Sequence, residues 1–320
     1  MWNLVADVGG TNMRIAAISN AGSIVDQRSF HSKGELDFLH ACTAFVAEHD
    51  RPPEGVVVAA AGVVANGSVE LTNSNQKFSE VELAQVCKAS SVKILNDFEA
   101  AAWSLATITQ SDVLALQGST DIPHGPRVII GPGTGLGVGA LVWVHGQPHV
   151  VPGEGGHVSL SPQSAQEVGY FEELVDLWPE VRIGAGLAVE AEAIVSGTGV
   201  PVLYHSIAKA RNTPVEPKTS EQVFALAKAG ADQNAVIAID LFRRFLAQIA
   251  GDLGLVFGAT GGVFISGGVA LSNPWVFDDS FLAAFNAGGR HSSWRTKMPV
   301  YLYQNPDFGL LGARNYISTR

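Results

Sequence analysis

Two periods of hydrophobicity alternate along the chain. Short apolar runs with strand character occupy residues 4–7, 13–18, 24–30, 56–60 and 92–95. Between them, helical spacing appears over 35–48, where Phe38, Leu39, Cys42, Phe45 and Val46 share one face, and again over 80–86 and 98–105. The first hundred residues therefore predict the order β-β-β-α-β-α-β-α. The theme returns in the second half. Strands are expected over 128–130, 137–144, 261–266 and 300–303, helices over much of 166–245, and a last helix over 310–317. Hairpins followed by α-β alternation, written twice, predict two α/β lobes of related topology with a crossing near 106–111.

Glycine turns interrupt these runs at matching places. Asp7-Val8-Gly9-Gly10-Thr11-Asn12 separates the first two strands, and Gly131-Pro132-Gly133-Thr134-Gly135-Leu136-Gly137 separates the corresponding pair at mid-chain. A tight Gly/Thr turn between strands aims several backbone N–H groups into one concavity, and such a nest binds anions. Two of them point to a polyphosphate held between two lobes. In the first, Thr11 and Asn12 add side-chain donors, Arg14 is within reach of a phosphate, and Asp7 is placed to hold a magnesium ion through water. An ordinary hairpin turn has the same composition, and it is the second turn that favours the anion site.

Composition narrows the class. At 47% apolar and 16% charged the chain is globular. A net charge of −10 argues against nucleic acid as a partner and requires local donors and a cation for any bound polyanion. Cys42 and Cys87 are too few for a zinc site or a disulfide framework and read as buried thiols in a reducing cytoplasm. No signal peptide is expected, since a strand carrying Asp7 begins at once. The run 245–277 holds one charge, Asp252, yet the glycines Gly251, Gly254, Gly258, Gly261 and Gly262 argue against a membrane span and for a buried helix, a turn and a buried strand.

Other motifs carry chemistry. The 131–139 turn is followed by a strand and not a helix, so it is not a dinucleotide fingerprint, and no Walker loop is present. Gly267 and Gly268 close a strand and leave a flat surface for a purine; close packing explains them nearly as well. Asn96 and Asp97 end a buried strand and open a helix. Ligands gather beyond strand C-termini in open α/β sheets, which suits an amide that grips a hydroxyl beside a carboxylate that takes its proton; a helix N-cap is the structural alternative. Glu154-Gly-Gly-His157 is flexible enough to bring both side chains onto a small polar ligand, and lacks the second histidine a zinc site needs. Glu192 alone reads as a helix residue.

Asp7-Val-Gly-Gly-Thr-Asn, Leu95-Asn-Asp-Phe, Gly133-Thr-Gly-Leu-Gly, Pro152-Gly-Glu-Gly-Gly-His, Gly262-Val-Phe-Ile-Ser-Gly-Gly and Asn305-Pro-Asp-Phe-Gly-Leu-Leu-Gly, in this order, resemble the bacterial ATP-dependent glucokinase family. The resemblance implies the hexokinase–actin–Hsp70 fold: two ribonuclease-H-like lobes around a nucleotide and sugar cleft, with residues 1–107 and 302–320 in the small lobe and 108–301 in the large one. It implies transfer of the ATP γ-phosphoryl group to the 6-hydroxyl of D-glucose, the first step of glycolysis, with Mg²⁺ and a homodimeric assembly. By position, Asp97 matches the catalytic base, and Asn96, Asp97, Glu154, His157 and Glu192 match the sugar ligands. Asp7, Gly9, Gly10, Thr11 and Asn12 match the first phosphate loop, Gly133, Thr134 and Gly135 the second, and Gly267 and Gly268 the adenosine region. The zinc-binding cysteines and DNA-reading helix-turn-helix of the related repressor group are absent. Where many members carry a tryptophan shortly after Thr72-Asn73, this chain has Asn75-Gln76-Lys77, so sugar affinity or lobe closure would differ. The rival readings are a kinase of mannose, fructose or an N-acetyl amino sugar, an actin- or Hsp70-like ATPase, and a catalytically silent sugar sensor.

Overall fold

The computed structural model describes residues 1–9, 12–32, 37–72, 74 and 76–319. The contacts divide the chain into two units: unit 1 comprises Met1–Thr109, Gly139–Pro152 and Asn305–Arg320, and unit 2 Gln110–Val138 and Gly153–Gln304.

Unit 1 opens with β1 (Trp2–Val8), β2 (Asn12–Ser19) and β3 (Ile24–His31), followed by α1 (Phe38–Ala47) and β4 (Gly55–Ala60). A small antiparallel sheet follows, β5 (Gly62–Ala65), β6 (Ser68–Leu71) and β7 (Lys77–Ser79), then α2 (Glu80–Cys87), β8 (Ser91–Asn96) and α3 (Asp97–Ser104). The main sheet has the order β3-β2-β1-β4-β8, with the first three strands antiparallel and β1, β4 and β8 parallel. Every residue of β4 is buried, as a parallel strand covered on both faces requires. Strand alternation sorts the side chains. Leu4, Ala6 and Val8 of β1 join Phe38, Cys42, Phe45, Leu83 and Cys87 beneath α1 and α2. Val5 joins Ala59, Leu95, Ala100, Trp103, Leu310 and Ala313 on the opposite face. Both cysteines are free and buried.

Unit 2 contains β9 (Val113–Gln117), β10 (Arg127–Pro132) and the start of β11 (Leu136–Val144); β11 and β12 (Gln147–Val151) form a hairpin that passes into unit 1 at Gly139. Beyond it come β13 (Ser159–Leu160), α4 (Ala165–Leu177), β14 (Arg182–Ile183), β15 (Ala188–Glu190), α5 (Gly199–Ala210), α6 (Ser220–Ala229) and α7 (Gln233–Phe257). The unit closes with β16 (Gly262–Ile265), α8 (Gly268–Ser272), α9 (Asp279–Asn286), α10 (Ser292–Arg295) and β17 (Val300–Tyr303); α11 (Phe308–Ser318) belongs to unit 1. Strands β10, β16 and β17 are parallel neighbours and β9 pairs antiparallel with β17. A strand, a glycine turn, two further strands in a hairpin run, and then two strands parallel to the first thus occur in both halves. The run 245–277 is the end of α7, a turn, β16, and short helices, and its single charge, Asp252, pairs with the buried guanidinium of Arg295. Among the described residues no helix is long and apolar enough to cross a membrane.

The division departs most from the sequence expectation over residues 139–152, the outer boundaries moving by two or three residues. Residues 139–152 were assigned with 108–301, yet they cluster with unit 1. The reason is packing: Gly139 lies against the carbonyl of Phe98 and the methyl of Ala102, and Val150 joins the cluster that holds Trp103.

Candidate active site

In unit 1 the parallel strands set the geometry. Val8, Ala60 and Asn96 are in register at the C-terminal edge of β1, β4 and β8. The first glycine turn leaves β1 at this edge, and Asp97 leaves β8 at the same edge two strands away, roughly 10 Å by strand spacing. Gly9 N–H donates to Asn12 O at 3.0 Å, closing the turn, and Gly9 O accepts from Ser32 Oγ at 2.6 Å. Asn12 is exposed at the start of β2. Gly10 and Thr11 lie outside the described residues.

Asp7 sits one position before the end of β1, opposite Arg14. Burial pushes its carboxyl up to about 6; Arg14 works against the shift and Asp307 adds to it. A Cβ at Gly309, in the first turn of α11, would fall on that carboxyl. Arg14 was expected to be available to a phosphate. Its Nη1 instead donates to Asp307 Oδ1 and to Pro306 O, the latter at 3.1 Å.

Asn96 is the N-cap of α3. Its Oδ1 accepts from Phe98 N–H at 2.8 Å and Glu99 N–H at 3.4 Å, and its Nδ2 donates to Gly62 O at 3.1 Å. The capping role therefore falls to Asn96, while half-buried Asp97 opens the helix with Oδ1 accepting from Phe98 N–H at 3.0 Å. Gln76, at the position of the expected departure, accepts from Phe38 N–H at 2.9 Å and donates to Ser32 O at 2.7 Å, tying the start of α1 to the residue that holds Gly9. Asn73 and Asn75 lie outside the described residues.

Unit 2 gathers the remaining candidates. The second turn is closed by Gly133 N–H donating to Gly135 O at 2.9 Å. A segment that sequence reading did not connect to it supports the turn from behind: Gly197 N–H donates to Gly133 O at 2.7 Å, and Thr198 Oγ1 to Thr134 O at 2.9 Å. Its only sequence signal is the run Ser196-Gly-Thr-Gly. Gly267 has φ +89°, a value glycine adopts without strain, and its Cα faces Pro132 O so closely that a Cβ would overlap it. Gly268 then begins α8 with open space beside it. Three glycine segments thus meet at one turn.

The same turn is bonded to the polar cluster. Leu136 N–H donates to Glu192 Oε2 at 2.7 Å, and Gly135 leaves room for that carboxylate. Glu154 precedes a short 3-10 turn that His157 ends, and both are exposed. The glycines between them were expected to confer flexibility. They are instead wedged on β11: a Cβ at Gly156 would overlap Leu136 O, so the turn is packed rather than loose. His157 Nδ1 is 3.0 Å from Glu190 Oε2 at the end of β15. That hydrogen bond raises the imidazole pKa; burial opposes it, and the charges of Glu190, Glu192 and Glu154 add to it. Glu190 was missed because its partner is 33 positions away with no local pattern between them.

Asp7, Gly9, Asn12, Asn96 and Asp97 therefore belong to unit 1, and Gly133, Thr134, Gly135, Glu154, His157, Glu192, Gly267 and Gly268 to unit 2. Among the described residues no group of three or more His, Cys, Asp or Glu side chains is arranged to hold a metal by itself.

The architecture is that of solved hexose kinases. The crystal structure of glucokinase from an Antarctic psychrotroph matches with a TM-score of 0.85 at 27% identity, over 100% of this chain and 99% of that one. Glucokinase from Balamuthia mandrillaris, crystallised with glucose, shares the fold with a TM-score of 0.77 at 20% identity, over 100% of this chain and 94% of that one. Glucokinase of Chelativorans sp. (strain BNC1) is 35% identical over 99% of this chain and 91% of its own length, and the glucokinase family model matches residues 4–320. The chain belongs to the glucokinase family and is an ATP-dependent hexose kinase.

Proposed function

We propose that this kinase transfers the γ-phosphoryl group of ATP to the 6-hydroxyl of D-glucose with Asp97 as general base. The observation that carries the assignment is the position of Asp97 at the strand edge from which the first glycine turn also departs. Phosphoryl transfer demands positioning and charge stabilisation more than covalent chemistry. Asp97 accepts the hydroxyl proton and aims the oxygen, as a carboxylate within hydrogen-bond reach can. Asn96 offers little free amide for the sugar, since its oxygen caps α3 and its nitrogen holds Gly62 O; it serves by fixing the helix start that carries Asp97.

Glu154, His157 and Glu192 read the ring hydroxyls. Gly9, Gly10, Thr11 and Asn12, with Gly133, Thr134 and Gly135, provide donors for the phosphates, and Gly267 and Gly268 face the adenosine. Magnesium typically takes one or two carboxylates and completes its shell with phosphate oxygens and water. Asp7, with Asp307 nearby and no larger ligand cluster among the described residues, fits that donor set. When bound, the ion neutralises phosphate charge.

The test is an Asp97→Ala variant in a coupled assay. Turnover is expected to fall by about 10²–10⁴-fold while calorimetric glucose binding persists. Near-wild-type phosphorylation by the variant would remove Asp97 from the mechanism. Rates of the wild-type enzyme with mannose, fructose and N-acetylglucosamine, each below that with glucose, are expected; a faster rate with one of them would reassign the substrate. ADP formation independent of sugar would favour an ATPase.

A further inference from the structure

The carboxylates around His157 pose a chemical problem. Glu154, Glu190 and Glu192 are all acceptors when ionised, whereas each sugar hydroxyl both donates one hydrogen bond and accepts others. A pocket of acceptors alone leaves the hydroxyl oxygens unmatched, and an unmatched polar atom in a binding site is costly. One donor is needed, and His157 is the cationic candidate in this cluster.

We propose that Glu190 is a positioning residue for sugar recognition, holding the Nδ1–H of His157 so that Nε2–H is presented as the donor among the acidic side chains. This rests on the reading that His157 faces the sugar. The contact that supports it is the 3.0 Å Nδ1···Oε2 hydrogen bond. Glu190 is itself held by the backbone, as the last residue of β15 paired across the strands with Ser159, two positions after His157. Both partners are therefore anchored on one small sheet. With Nδ1 committed, the opposite ring nitrogen is the one left for a ligand, and the partner of one nitrogen decides the role of the other.

The protonation state follows the same geometry. Glu190 favours the imidazolium through the hydrogen bond, Glu190, Glu192 and Glu154 add through their charge, and burial opposes them. These are the titratable groups that face the ring from β15, the 3-10 turn after it, and the segment before Gly155. Glucose affinity is then strongest where His157 is charged and weakens as pH rises through its elevated pKa.

The experiment measures glucose dissociation constants by calorimetry from about pH 6 to about pH 9, with steady-state kinetics, for wild type, Glu190→Gln and Glu190→Asp. Glu190→Gln is expected to weaken glucose binding roughly tenfold near pH 8, with a smaller loss near pH 6. Its alkaline fall in affinity should begin at lower pH than in wild type. The KM for glucose rises while kcat changes little, and Glu190→Asp restores part of the loss. A merely structural role would lower affinity equally at every pH. A Glu190→Gln profile parallel to wild type, or within about twofold of it throughout, overturns the inference while leaving glucose phosphorylation intact. Should that variant fold poorly, the His157 ring resonance of the wild-type protein, assigned with His157→Gln, decides: a midpoint at or below the ordinary histidine value, unmoved by glucose, overturns the inference. A wild-type protein that does not bind glucose would instead remove the reading on which the inference rests.

Discussion

The backbone of Gly309 stands against the carboxyl of Asp7, with no room between them for a methyl group. This contact joins the first turn of α11 to the end of β1. Alternation along β1 places Asp7 on the face that Val5 shares with Leu310 and Ala313, so the carboxyl is forced against the helix that covers that face.

Gly309→Ala should therefore destabilise the fold by about 1–3 kcal/mol, the usual cost of overpacking a site that cannot move away. Urea denaturation of the variant measures it. An unchanged midpoint would show that α11 shifts freely, contrary to its packing on α3.

Asp7 should make stability depend on pH. Its folded pKa, about 6, lies above the ordinary 3.8 because burial penalises the charge. The folded state therefore holds the proton better than the unfolded chain. Stability from the neutral form is complete below about 3.8 and is lost as pH rises through about 6. Asp7→Asn, neutral throughout, should exceed wild type by about 3 kcal/mol near pH 8, a gap that closes below pH 4. Thermal unfolding at both pH values tests the sign. The same variant should lose most magnesium-dependent activity.

Asn96 should behave as a cap. Replacement by alanine removes the acceptor for two helix N–H groups and the donor to Gly62, costing about 1–2 kcal/mol, and turnover should fall as Asp97 loses its setting. Asn96→Asp preserves the acceptor and should recover most of the stability in chemical denaturation.

Gly156→Ala should raise the KM for glucose well before it affects overall folding. The added methyl would strike Leu136 O and push the Glu154–His157 turn off β11. Steady-state kinetics beside circular dichroism separate the two effects. An unaltered KM with a native spectrum would mean that the turn relaxes without moving His157.

Local chemistry was legible in the sequence, and distant pairing was not. Short apolar runs announced β1, β4 and β8, and the strand-end position of Asn96-Asp97 announced a polar edge. Which of the two caps α3 was not readable, because both residue types can do it. The partner of Arg14 lies 293 positions away, and nothing near Arg14 signals Asp307. Strands β5 to β7 escaped notice because each is only three or four residues long. Glycines 155 and 156 looked like freedom and proved to be contact, a distinction that depends on what stands opposite them.

The bond from Leu136 to Glu192 makes the exit of the turn proposed to hold phosphate and the carboxylate proposed to read the sugar parts of one mechanical piece. A nucleotide that stiffens the turn then also sharpens the carboxylate for its hydroxyl, and sugar must return the favour to nucleotide by the same factor, since linkage between two ligands is reciprocal. Synergistic binding, measurable without any turnover by using a non-hydrolysable nucleotide, is thus the outcome expected of a single amide proton.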